Sequence, residues 1–306
     1  MTQSYGQVVV YEHRAWKGYL LPAIAPGASR ITACLGESSE DVLLRLPAAC
    51  HTFVFHINLT FSTRVPIGRD SLVSELQARG IVVHNARLVD ISKRTVQRIC
   101  AREGFTSTAA QRDGDPDEFL LVKTTYNYHG ESDCKLGIEQ RRMLGYESPQ
   151  DMPPRQKTDY RIMRRSEVPA GVWTSPHWVV ERYVTNTAHL FHRVYLAGDA
   201  IVVSRVVDSS TFKKMPEGIE RESYWTRASE AHRQLTGSSD IGRVAAMSAR
   251  IARAAHVEYG AFDVVSDDQG ENYLIDINTT PYWGDGGQAD LLAYLGAGLA
   301  EHRYGT

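Results

Sequence analysis

Apolar residues along this chain either alternate with polar ones or recur every third and fourth position, in segments short enough to read as separate elements. HTFVFHINLTF (51–61) alternates and is rich in Phe, Val and Ile; RDSLVSELQARG (69–80) has helical spacing and ends in Gly80; IVVHN (81–85) is a short apolar run. This strand, helix, strand order, with QVVVYEH (7–13) ahead of it, predicts an α/β lobe over residues 1–86, with a parallel sheet joined by right-handed crossovers. In DISKRTVQRICAREGF (90–105), Asp90 is placed to cap a helix carrying Ile91, Val96, Ile99 and Cys100 on one side, and Gly104 to close it.

EFLLVKTTYNYHGESD (118–133) reads as a strand running into a loop, and the polar, Pro-containing stretch from Glu139 to Arg165 as a surface helix with connections. WVVERYV, HLFHRVYLAG and AIVVSRVVD follow as three strands, with Gly198-Asp199 as a hairpin turn. Residues 209–240 are charged and aperiodic, so a mobile segment is expected there. SDIGRVAAMSARIARAAHVEYG then has the Ala-rich spacing of a packed helix.

AFDVVSDDQGENYLIDINTTPYW (261–283) contains two strand-like runs around a turn rich in Asp and Gly. With an even loop between them, Phe262, Val264, Tyr273, Ile275 and Ile277 share one face, and Asp263, Val265, Leu274, Asp276 and Asn278 share the other. Two carboxylates and an amide oxygen gathered on one face are hard donors that suit Mg²⁺, which completes its shell with water and substrate phosphates. The competing reading is the solvated outer face of an ordinary hairpin.

Composition narrows the picture without adding a partner. Across 306 residues, 42% are hydrophobic and 23% charged, which is globular and sets aside collagen-like, coiled-coil and disordered classes. Thirty-four Lys plus Arg against 36 Asp plus Glu leave a formal charge of -2, with no like-charge block to serve as a nucleic-acid or membrane arm. The N-terminal MTQSYGQVVVYEHRAWKGYL has no signal-peptide pattern and no apolar run approaches the roughly 18 residues needed to cross a bilayer, so a soluble, cytoplasmic protein is expected. Cys34, Cys50, Cys100 and Cys134 lie far apart without a Cys-x-x-Cys pair, which reads as buried or incidental thiols.

From about Asn85 to Trp283 the motifs resemble, in order, those of the ATP-grasp superfamily of carboxylate-amine and carboxylate-thiol ligases. NARLVDISKRTVQ resembles the segment whose lysine reaches the nucleotide phosphates, here Lys93; FLLVKTTYNYHG resembles the strand with the second phosphate lysine, Lys123, and the small-residue loop over the triphosphate. VVERYV resembles the hinge that meets adenine, which implies that Glu181 contacts its amino group and Val184 lines its pocket. FHRVYLAGDAIVVSR resembles the strand pair supplying arginines to the phosphate and acyl-phosphate site, here Arg193 and Arg205, and DVV with DINTTPYW the closing metal motif, here Asp263, Asp276 and Asn278. Two departures stand out: Asp276 replaces a more common Glu, and TNTAHLF lacks the acid that usually holds the ribose, leaving Asn186 and His189 as candidates.

The resemblance implies an α/β (α+β) ATP-grasp fold: an N-terminal Rossmann-like pre-ATP-grasp lobe (1–86), then a nucleotide-binding and catalytic region (87–306). It also implies ATP and Mg²⁺, and a ligase that activates a carboxylate as an acyl phosphate and joins it to an amine, with small-molecule or peptide substrates. A homodimer is compatible with the sequence. Such chemistry asks for positioning and charge neutralisation by Lys, Arg and Mg²⁺. The alternatives are a non-catalytic ATP-binding module and a small-molecule kinase. Taken singly, Lys93 and Lys123 also read as exposed lysines, and Arg205 as the partner of Asp208. His129, His189 and His192 are read as structural, since no pair has a metal-motif spacing. Tyr126, Tyr128, Tyr282 and Trp283 read as packing, or as an acceptor pocket with Gly284, Gly286 and Gly287.

Overall fold

The computed structural model describes residues 7–15, 18–61, 65–144, 160–212, 223–226, 240–283 and 288–301. The N-terminal lobe builds its sheet from β1 (Gln7–Glu12), β2 (Ser29–Thr32), β3 (Cys50–His56) and β4 (Val82–His84), in the order β2-β1-β3-β4 and parallel throughout. Helices α1 (Leu20–Ile24), α2 (Ser39–Leu44) and α3 (Arg69–Ala78) are its connections. The parallel sheet agrees with the sequence; β2, α1 and α2 were not anticipated, because SRIT and LLPAI are too short to show a period.

Helix α4 (Lys93–Arg102) leads into a three-stranded antiparallel sheet, β6-β5-β7, made of β5 (Phe119–Thr124), β6 (Arg161–Arg164) and β7 (Trp178–Arg182). The cap of α4 is Ser92, whose hydroxyl accepts from the Thr95 amide, whereas Asp90 accepts from the Ser92 amide at 2.7 Å and steadies the cap from outside. Gly104 follows the helix with φ +77°, as its placement predicts. Short helices α5 (Glu131–Cys134), α6 (Ile138–Met143) and α7 (Ala170–Thr174) fill the connections. The expected surface helix is α6, but the same stretch ends in a strand, β6; residues 145–159 lie outside the described residues.

The largest sheet, β10-β9-β8-β11-β12, is antiparallel: β8 (Leu190–Ala197), β9 (Ala200–Val207), β10 (Ser223–Thr226), β11 (Tyr259–Ser266) and β12 (Asn272–Asn278). Gly198-Asp199 is the two-residue turn between β8 and β9. The segment expected to be mobile contains β10, and most of the remainder lies outside the described residues. One face of this sheet packs under α4 and α8 (Asp240–Ala255), burying Val194, Val203, Phe262, Val264, Leu274 and Ile277 against Val96, Val244 and Ile251.

The other face joins the N-terminal lobe. Val10 and Val54 share a core with Tyr195, Tyr259 and Ala261, completed by α9 (Ala289–Glu301). A Cβ on Gly298 would collide with the Ala197 carbonyl, so glycine there lets α9 lie directly on the β8–β9 turn. Asn85, left-handed at φ +60°, ties the two parts: its amide donates to Tyr259 O (2.9 Å) and accepts from the Glu258 and Tyr259 amides (3.0 Å each). No helix among the described residues is long and apolar enough to cross a membrane.

Candidate active site

The register of the large sheet brings the acids together. Asp263 on β11 is directly opposite Asp276 on β12 and, on its other side, opposite Arg193 on β8, so all three share one face; Asn278 follows two residues after Asp276 on that face. The hairpin departs from the even-loop expectation nearer its turn. Asp263 pairs with Asp276 but Val264 with Leu274, so Ile275 is an extra residue in β12. Leu274 therefore joins Phe262 and Val264 in the core, while Tyr273 and Ile275 pack with Val265 on the opposite side, the reverse of the expected grouping.

Each acid meets a cation. Arg193 is ion-paired with Asp263, and Lys93 Nζ lies 3.5 Å from Asp276 Oδ1. Burial raises the Asp263 pKa; Arg193 opposes this and the neighbouring Asp276 charge adds to it. Burial works against the Arg193 charge, yet Asp263 more than restores it, and the guanidinium pKa ends above its ordinary value. Lys93, at the first position of α4, donates to Tyr126 O at 2.8 Å, and its amide donates to Thr125 O at 2.9 Å, which fixes the helix start to the end of β5.

A second buried pair lies on the small sheet. Lys123 and Glu181 share the face of β5 and β7 that looks toward β12, with Lys123 Nζ 2.7 Å from Glu181 Oε2 and donating to Ile275 O at 3.2 Å. Glu181 Oε1 is buried with no hydrogen-bond partner among the described residues. The pair borders a cavity of about 220 Å³ with apolar walls from Leu121, Val184, Val265 and Ile275, and with Tyr160 and Phe212 at 5.7 Å from each other. Apolar side chains beside a buried, unpaired acceptor suit a flat heteroaromatic ring bearing an amino group.

The remaining expectations divide. Asn186 and His189 both line the cavity, but the Asn186 amide is closed onto Leu190, donating to its carbonyl (2.6 Å) and accepting from its amide (2.9 Å). The loop after β5 is a left-handed turn, with φ of 45°, 56° and 74° at Tyr128, His129 and Gly130; Tyr128 is exposed and His129 buried. Tyr126 and Trp283 are core residues; Gly284, Gly286 and Gly287 lie outside the described residues.

Arg205 is a correction. The two-residue turn pairs His192 with Arg205 and Arg193 with Ser204, and His192 in turn stands opposite Val264. Arg205 thus belongs to the helix-covered face, away from Asp263. There, burial first and the Arg205 charge second push the His192 pKa down to about 4. Sequence reading also missed Tyr160, whose buried hydroxyl has a raised pKa chiefly from burial, and Gln97, which bridges α4 to Leu274 O (3.0 Å) and the Thr108 amide (2.9 Å). Tyr160 lies in no motif and Gln97 ends the NARLVDISKRTVQ segment without a role assigned to it there, so only tertiary placement identifies them.

The two carboxylates and one amide fit Mg²⁺: hard oxygens on one face, whose mutual repulsion a divalent ion would relieve. Among the described residues no group of three or more His, Cys, Asp or Glu offers an alternative metal site.

No protein-family model matches the sequence, and comparison with curated proteins finds no match. Solved structures do match. The ATP-grasp ligase PsnB complexed with a minimal precursor is 12% identical, with 97% of this chain and 100% of that one covered and a TM-score of 0.52. The same ligase with minimal precursor, Mg and ADP is 13% identical over 96% and 97% of the chains, with a TM-score of 0.51. The chain has the ATP-grasp fold: a mixed α/β architecture in which a small antiparallel sheet closes on a large one.

Proposed function

We propose that the chain is an ATP- and Mg²⁺-dependent ligase that activates a carboxylate as an acyl phosphate and joins it to an amine. The observation that carries this reading is the convergence of Asp263, Asp276 and Asn278 with Lys93 and Arg193 on one face, beside the Lys123–Glu181 pocket. Its likeness in fold to a ligase solved with Mg and ADP supports the choice of nucleotide and metal. Residues 1–86 would form the lobe that faces the substrates, and 87–306 the nucleotide-binding region.

In this reading Glu181 Oε1 accepts from the adenine amino group and Val184 packs on the ring. Lys93 and Lys123 neutralise phosphate oxygens. Asp263, Asp276 and Asn278 hold Mg²⁺, which when bound draws charge from the phosphates. A substrate carboxylate oxygen attacks the γ-phosphorus and ADP leaves; the amine then attacks the acyl carbon, releasing inorganic phosphate and one proton. Arg193 stabilises the charge that collects on the acyl phosphate. Nothing in this scheme requires a protein nucleophile.

The test is ADP release with panels of acids and amines. Release that needs both partners supports a ligase, and a phosphorylated acid accumulating as the final product would mean a kinase. An Asp276→Ala, Asn278→Ala variant with full turnover would overturn the metal assignment. Nucleotide binding without ADP release for any pair would leave a binding module.

A further inference from the structure

The carboxylates that would hold Mg²⁺ are already neutralised by the chain itself. Arg193 pairs with Asp263 and Lys93 with Asp276, and the two cations are more deeply buried than the acids, with side-chain exposures of 6% and 1% against 14% and 22%. They come from separate elements, β8 and α4, so each can be drawn away independently. Each also has an anchor: Lys93 donates to Tyr126 O at 2.8 Å, and the Arg193 guanidinium carbon lies 5.7 Å from the centre of the Tyr195 ring. Arg193 Nε is buried with no hydrogen-bond partner among the described residues, which leaves a donor for an incoming anion.

Charge counting shows what this cluster accepts. Two carboxylates against two cations are neutral; a divalent ion added alone leaves two excess positive charges in a buried, poorly solvated place. A triphosphate arriving with the metal reverses that excess. Its oxygens, carrying about four negative charges, more than offset that excess: they can take Lys93 and Arg193 while the carboxylates take the metal, so each cation of the cluster keeps an anionic partner.

Building on the nucleotide-site reading, we propose that Arg193 and Lys93 are resident counter-ions of the nucleotide-free site, which exclude Mg²⁺ alone and admit it together with a triphosphate. Both are then positioning residues before they are phosphate ligands: they hold the metal oxygens apart from solvent cations and hand them over on nucleotide binding.

The experiment is calorimetric titration of the nucleotide-free protein with Mg²⁺ alone, then with a non-hydrolysable ATP analogue plus Mg²⁺, for the wild type, Arg193→Gln and Lys93→Met. Removing one competing cation should tighten binding of Mg²⁺ alone by about tenfold or more, while the wild type takes up the metal readily only with the analogue. A residue that merely shaped the site would weaken metal binding when lost. Should Arg193→Gln fail to fold, Lys93→Met, which frees Asp276 and leaves the Arg193–Asp263 pair, is read the same way. If the wild type binds the analogue with Mg²⁺ but the variants take up Mg²⁺ alone no better than it does, this inference falls and the nucleotide-site reading stands. If the wild type does not bind the analogue, both fall together.

Discussion

Asp263 and Asp276 face each other across β11 and β12, and each is met by a cation from a different part of the fold, Arg193 from β8 and Lys93 from α4. Two opposed carboxylates would repel in a sheet and, left alone, favour the neutral form of one of them. The chain keeps them because cations converge on them from a strand and a helix that are far apart in sequence. A buried ion pair contributes little net stability. Its cost is easier to understand where the charges have a ligand to meet.

Asp263→Asn should therefore act on stability as well as activity. Losing this carboxylate strands the buried Arg193 guanidinium, and breaking such a pair typically costs about 3 kcal/mol. Adding Arg193→Gln should recover part of that loss while leaving the protein inactive. Urea midpoints for both single variants and the double variant measure it; additive losses would show that the pair is not coupled.

Arg193 and Arg205 should behave differently despite their matching sequence context. Arg193 shares a face with Asp263, and Arg205 stands on the α8 side with His192. Arg193→Lys, which keeps the charge but loses the guanidinium fork, should lower ADP release by about a hundredfold, as expected when a charge-stabilising donor is displaced. Arg205→Lys should stay within about threefold of wild type, since its side chain belongs to the face of the sheet opposite that of Asp263. Steady-state rates for the two variants decide it, and equal losses would return Arg205 to the site.

Much of this was legible beforehand. The parallel sheet of the lobe, the β8–β9 turn and the acids of the closing hairpin follow from periodicity and Gly placement, because those segments are long or sharply punctuated. The side of Arg205 was legible too. A two-residue turn at Gly198-Asp199 pairs 197 with 200, hence 193 with 204, and Arg205 lies one residue too far to share that face. The extra residue at Ile275 was not, because Tyr273, Leu274 and Ile275 are all apolar and any of them can face a core. Nor was Ser92 over Asp90 as the α4 cap: both are good cap residues, and only the fold at Thr125 shows where the helix begins.

Glu181→Gln tests the base pocket. Glutamine retains the shape but removes the charge that holds Lys123, and its amide presents only one acceptor oxygen where the carboxylate had two. Binding of a non-hydrolysable ATP analogue should weaken by about tenfold, the size expected for losing one charge-assisted hydrogen bond in a buried site. Calorimetry gives the ratio directly. Unchanged affinity would remove Glu181 from the base site and leave it as the structural partner of Lys123.

His192 makes stability depend on pH in a defined window. It is 1% exposed with Nδ1 unpartnered among the described residues, and its pKa falls from an ordinary 6.5 to about 4, mainly through burial and secondarily through Arg205. An unfolded chain takes up this proton as pH drops through 6.5, whereas the folded chain takes it up only near 4, so between those values the unfolded state binds more protons. The stability contribution of neutral His192 is thus whole above about pH 6.5 and lost progressively toward pH 4, amounting to about 3 kcal/mol across the window. Melting temperatures at pH 7, 5.5 and 4.5, values chosen at about the top, middle and lower part of that window, should fall more steeply in the wild type than in His192→Asn, which has no proton to take up. Parallel slopes in the two proteins would assign the acid sensitivity to other groups.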